Sequence, residues 1–120
     1  MESVLLIEFL KLQEYYNVIF EGRSFEIIGK DDVGNLIGED SEKVLFYLET
    51  EPVNIRYIAN DLQVFLKQLE IYKKYEEIEE DYLEEYMQAF RESIKSLDAG
   101  AFKEESFWSI IEEQMEIGLL

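Results

Sequence analysis

The chain has no cysteine and no histidine, one proline, and six glycines in 120 residues. Without cysteine there is no disulfide framework, no thiolate zinc site and no cysteine nucleophile. Without histidine it lacks the commonest general base, the commonest metal ligand and any Ser-His triad. Basic residues are scarce as well: 11 Lys plus Arg stand against 28 Asp plus Glu, a net charge of −17. Such a surface repels nucleic-acid phosphates and anionic lipid, so direct binding of nucleic acid or membrane is not expected. Long apolar runs are missing too. No segment approaches the roughly 20 apolar residues that span a bilayer. The start, Met1-Glu2-Ser3 followed by the short apolar run Val4 to Ile7, lacks the basic region and longer apolar stretch of a secretory signal. The expectation is a cytoplasmic protein.

What is present is core material. Hydrophobic residues make up 48% of the chain, including 8 Phe, 8 Tyr and 1 Trp. That is too much for a disordered acidic tail, and the length suits one domain over residues 1–120. Gly22, Gly29, Gly34, Gly38 and Pro52 punctuate the first half into short segments rich in Ile, Val, Phe and Tyr. Strands are predicted at Asn17–Phe20, Phe25–Ile28, Asn35–Ile37, Val44–Leu48 and Asn54–Ile58, with a hairpin turn at Glu21-Gly22-Arg23-Ser24. Short connections imply antiparallel order, because parallel pairing needs a long crossover. Residues 2–14 fit a helix through Leu5, Leu6, Phe9, Leu10 and Leu12, or a strand at Val4 to Ile7.

After Ile58 the apolar period changes from 2 to 3.6. Asn60 is the expected N-cap, with Asp61 at the positive helix end and a buried stripe of Leu62, Phe65, Leu66, Leu69 and Tyr72. A second helix is predicted from about Glu79 to Leu97, with Leu83, Met87, Phe90, Ile94 and Leu97 inward, ended by Asp98-Ala99-Gly100. A third begins near Glu105 or Ser106, buries Phe107, Ile110, Ile111 and Met115, and stops at Gly118. Strands followed by helices define an α+β domain, an antiparallel sheet of about five strands packed against C-terminal helices.

Chemistry is thinly represented. Gly29-Lys30-Asp31-Asp32-Val33-Gly34 lacks the Gly-Lys-Ser/Thr ending of a phosphate loop and reads as a turn. Asp31, Asp32, Asn35, Glu39, Asp40 and Glu42 offer oxygens, but Val33 stands where a calcium loop needs an acid or amide. No carboxylate pair is marked out for acid–base work. No catalytic residue, metal ligand or cofactor is therefore assigned.

The feature that does stand out is the acidic run Glu76, Glu77, Glu79, Glu80, Asp81, Glu84 and Glu85, seven acids in ten residues with no base among them. On a helix Glu77, Glu80, Asp81 and Glu84 share one face, where like charges cost a few tenths of a kcal/mol per pair. The run reads either as a solvated helix start or as a docking patch for a basic partner, with Tyr75, Tyr82 and Tyr86 interleaved as interface aromatics.

Several segments together resemble the SUKH superfamily, most nearly its fourth subfamily, over roughly residues 17–118. They are Ile27-Ile28-Gly29-Lys30-Asp31, Ile37-Gly38-Glu39-Asp40, Val44 to Leu48, the strand-to-helix junction Arg56 to Leu66, and Ser106-Phe107-Trp108. Ala59-Asn60-Asp61 stands where that group more usually has Asn-Ser-Ser. The resemblance implies an α+β immunity protein that binds and blocks the toxin domain of a cognate polymorphic toxin, often a nuclease. Its matching positions, Gly29, Val44, Leu62, Phe65 and Trp108, are fold positions, so no binding residue is carried over. Charge and resemblance converge, since a nuclease presents a basic cleft that carboxylates can fill. Two other readings remain in view: an acidic nucleic-acid mimic that inhibits a DNA-binding protein, and a small enzyme using carboxylates alone.

Overall fold

The computed structural model describes the backbone of residues 4–75 and 83–116. Among these residues six strands fill the N-terminal half: β1 (Glu8–Phe9), β2 (Tyr16–Phe20), β3 (Arg23–Lys30), β4 (Leu36–Glu39), β5 (Leu45–Thr50) and β6 (Val53–Ala59). Among the described residues three helices follow: α1 (Leu62–Tyr75), α2 (Leu83–Leu97) and α3 (Phe107–Glu116). The sheet is antiparallel throughout and runs β3-β4-β5-β6 in chain order. Both β1 and β2 pair with β3, β1 at Lys30 and Gly29 and β2 along residues 23–27. The expected α+β architecture is the one observed.

The strands extend past their predicted bounds at one end or both because tight turns consume fewer residues than the punctuation suggests, but β4 and β5 start one residue later than predicted, leaving Asn35 and Val44 in the turns. The turn between β2 and β3 is Glu21-Gly22 alone, with φ of 51° and 76°. Two successive positive φ values match the twist of the flanking strands, so Arg23 and Ser24 already belong to the ladder. The N-terminal segment is neither of the expected alternatives in pure form. Val4–Leu6 is a turn with Leu5 and Leu6 at positive φ, β1 is a two-residue strand, and Leu12–Glu14 is a 3₁₀ turn. Ile7 and Phe9 are thereby delivered to the core, Phe9 edge-on to Phe65 at 6.0 Å.

The helices cover one face of the sheet. α1 and α3 pack on β6, and α2 packs on both of them. The shared core holds Ile28, Ile37, Leu45 and Ile58 from the sheet with Phe65, Phe90, Ile94 and Trp108 from the helices, all 0–1% exposed. Aromatic rings knit it: Trp108 meets Phe65, Tyr72, Phe90 and Phe107 at centroid distances of 5.1–6.4 Å.

Two expectations about α1 need correction. Asp61, not Asn60, caps the helix, since Asp61 Oδ1 accepts the Val64 N–H at 2.9 Å. The inward stripe also differs: Leu66 is 43% exposed, whereas Gln68 is fully buried. Gln68 is tolerated there because Trp108 donates its indole N–H to Gln68 Oε1 at 2.8 Å. In α3, Ser106 Oγ accepts the Ser109 N–H at 3.3 Å as a cap, and Phe107, Trp108, Ile111 and Met115 are buried. Ile110 is only partly so. Residues 79–82 of the predicted second helix, and Gly118, lie outside the described residues.

A second, smaller cluster lies on the opposite face of the sheet. Phe25, Ile27 and Leu48 are buried, ringed by half-buried Leu10, Val18, Phe20, Leu36, Phe46 and Ile55. None of these residues comes from a helix. Gly38 of β4 sits between Phe25 of β3 and Leu48 of β5, where an added Cβ would lie 3.0 Å from Leu48 Cδ1 and 3.0 Å from Phe25 Cβ.

Candidate functional site

Of the predicted docking patch, Glu76, Glu77, Glu79, Glu80, Asp81 and Tyr82 lie outside the described residues. Glu84 is in the first turn of α2, and only its backbone is described. Glu85 follows it with an exposed side chain. Flanking the run, Tyr75 at the end of α1 and Tyr86 on α2 meet edge-on at 6.2 Å, so the two helices are pinned together on either side of it. Tyr75 also packs on Phe90 at 5.6 Å, which makes it a core-edge residue.

The oxygen-rich turns are spent on their own folding. Asp31 Oδ1 accepts the Val33 and Asn35 N–H groups at 3.1 and 2.9 Å, and its Oδ2 accepts the Tyr47 hydroxyl. Asn35 Nδ2 donates to the Tyr47 oxygen at 2.8 Å, and Asn35 Oδ1 accepts the Thr50 N–H at 3.1 Å. Burial first, then this bond to Asp31, pushes the Tyr47 hydroxyl pKa well above the ordinary phenol value. Asp40 repeats the device, Oδ1 accepting from the Glu42 and Val44 N–H groups at 2.9 and 3.0 Å. A carboxylate committed to closing a hairpin is poorly placed to bind a phosphate or a free cation.

A third carboxylate joins distant segments. Asp98, 5% exposed at the end of α2, accepts from the Tyr57 hydroxyl, from Asn60 N–H at 3.0 Å and from Gly100 N–H at 2.9 Å. It thereby ties the β6–α1 junction to the α2–α3 connection. Burial, reinforced by Asp98, raises the Tyr57 pKa well above its usual value. Lys103 Nζ lies 3.9 Å from the Tyr57 ring centroid and covers its open side.

Sequence spacing did not disclose the open cleft at the β2–β3 hairpin end of the sheet, about 520 Å³, between that hairpin and the β4–β5 loop. Glu26 and Glu39, which are Cα partners across β3 and β4, line it together with Asp40, Ser24, Ser41 and Lys43. Directly opposed like charges are unfavourable, and Lys43 offsets one of them through a 3.3 Å ion pair with Glu39. Glu26 and Glu39 are thirteen positions apart, so only the hairpin register brings them together. A cleft of this kind can hold a cationic side chain by charge and hydrogen bonding.

Among the described residues, cations hold three carboxylates: Glu39 by Lys43, Glu49 by Arg56 at 2.5 Å, and Glu112 by Arg91 at 3.1 Å. Burial raises the Glu112 pKa, Arg91 counteracts this, and Glu116 adds to it. No group of three or more acidic side chains is arranged to hold a metal ion among the described residues. Within the same residues, no helix is long and apolar enough to cross a membrane.

No family model matches the chain, and no curated protein and no solved structure matches it.

Proposed function

We propose that this chain is a bacterial immunity protein of the SUKH type, which binds a cognate polymorphic toxin, a basic nuclease domain, and neutralises it by occlusion. The observation that carries the proposal is the charge of −17, of which the ion pairs among the described residues neutralise little. A field of that sign accelerates capture of a basic protein and sets the register in which it docks. Its supports are the SUKH-like segments and the α+β fold they imply. The observed carboxylate networks fit a binding role, since Asp31, Asp40 and Asp98 brace turns and junctions. Rigid loops present a preformed surface and reduce the ordering cost of association.

The test is to mix the protein with the toxin domain encoded beside its gene. A tight complex is expected, with an association rate that falls as salt is raised. If no complex forms at low salt, the reading is wrong.

A further inference from the structure

The sheet face opposite the helices is apolar in its middle and acidic at its ends. On β2 to β6, no strand position on this face is Asp or Glu, as the register from Phe25, Ile27, Phe46 and Leu48 shows. Glu8 of β1 stands at one corner, opposite Lys30. Apolar side chains dominate instead, with Tyr16 at one edge 46% exposed and Val53 at the other 53% exposed. The connections at the two ends of the strands are acidic. Glu21 and Glu42 are exposed at one end and Asp32 and Glu51 at the other. They outnumber the exposed Lys43 and Lys30 at the same two ends, which leaves the connections at both ends net negative.

We infer that this helix-free sheet face, whose central Phe25, Ile27 and Leu48 are buried and whose half-buried Val18, Phe46 and Ile55 are what a partner would touch, is the docking surface for the basic protein partner, an inference that rests on the binding role proposed above. An apolar centre with a charged rim is the usual anatomy of a specific interface. The rim here is acidic, so the complementary surface is an apolar patch flanked by Lys or Arg. A second copy of this chain is the wrong occupant, because face-to-face contact would bring Glu21, Glu42, Asp32 and Glu51 against the same acids of its mate. Arg23 marks the boundary. Its guanidinium lies 4.6 Å from the Phe46 ring centroid and 5.1 Å from that of Phe25, at the acidic Glu21 end. Long-range capture belongs to the −17 field, and holding belongs to this face.

The test uses the full chain, the toxin domain encoded beside its gene, and the neutral variants Tyr16→Asn and Val53→Asn, which leave the field unchanged. Leu66→Asn, an exposed apolar position on α1, serves as control, and circular dichroism with thermal melting confirms that each variant folds. Each face variant is expected to dissociate about tenfold faster with an unchanged association rate, while Leu66→Asn behaves as wild type. If the wild type binds and the face variants bind equally well, the docking face is refuted and the binding role stands. If the wild type itself does not bind, both fail. Sedimentation of the protein alone should show a monomer; a dimer disrupted by Val53→Asn would assign the face to a second copy and overturn the proposal.

Discussion

Trp108 and Gln68, forty residues apart, are joined by an indole N–H to Oε1 hydrogen bond of 2.8 Å at a site where both side chains are 0% exposed. The bond fastens α3 to α1 in the middle of the aromatic cluster. Gln68 Nε2 on the same amide is buried without a hydrogen-bond partner. Trp108→Ala should destabilise the domain by about 3–5 kcal/mol through lost burial and the cavity left behind. A double-mutant cycle of Trp108→Phe with Gln68→Leu isolates the hydrogen bond. Each single change leaves a buried group unpaired and the double change leaves none, so a coupling of about 1 kcal/mol is expected in urea titrations.

The two raised tyrosines set the alkaline limit. A tyrosine whose folded pKa exceeds its unfolded value holds its proton more tightly when folded. Its stabilisation is complete below the unfolded pKa of about 10 and is lost as pH rises through the higher folded value. Tyr47 and Tyr57 are both shifted this way, by burial and by a carboxylate hydrogen bond. Melting temperatures measured from neutral pH upward should therefore fall above about pH 10, with a shallower decline in Tyr47→Phe and Tyr57→Phe. An equal decline in the double Phe variant would show that these hydroxyls do not control it.

Gly38 tests the second apolar cluster. Adding a methyl group there forces it against Phe25 Cβ and Leu48 Cδ1 at 3.0 Å each, and Phe25 and Leu48 are 1% and 0% exposed. Gly38→Ala should cost about 1–3 kcal/mol by overpacking. Equilibrium denaturation reads the loss directly.

The acidic run is tested by reversing Glu77, Glu80, Asp81 and Glu84 to Lys. The fold should survive, because the reversal moves the net charge of −17 toward zero and so lowers the chain's self-repulsion. Association with the neighbouring toxin should slow at low salt and converge on the wild-type rate at high salt, as measured by stopped flow. A rate equal to wild type at every salt concentration would make this segment ordinary solvated surface.

Local physics settled much of this protein in advance. Short segments rich in Ile, Val, Phe and Tyr such as Val44 to Leu48, the change to a 3.6 period after Ile58, and the stop at Asp98-Ala99-Gly100 are short-range patterns. They sufficed for an antiparallel sheet followed by helices. Tertiary structure decided whatever depends on partners far along the chain. Leu66 turned outward and Gln68 inward because Trp108 supplies a donor that hydropathy cannot register. Glu26 meets Glu39 only through the β3–β4 register, and Asp98 reaches Asn60 only once α2 has folded back on α1. The apolar outer face became recognisable in the same way, since alternation shows that a strand has two faces and only packing shows which one the helices cover.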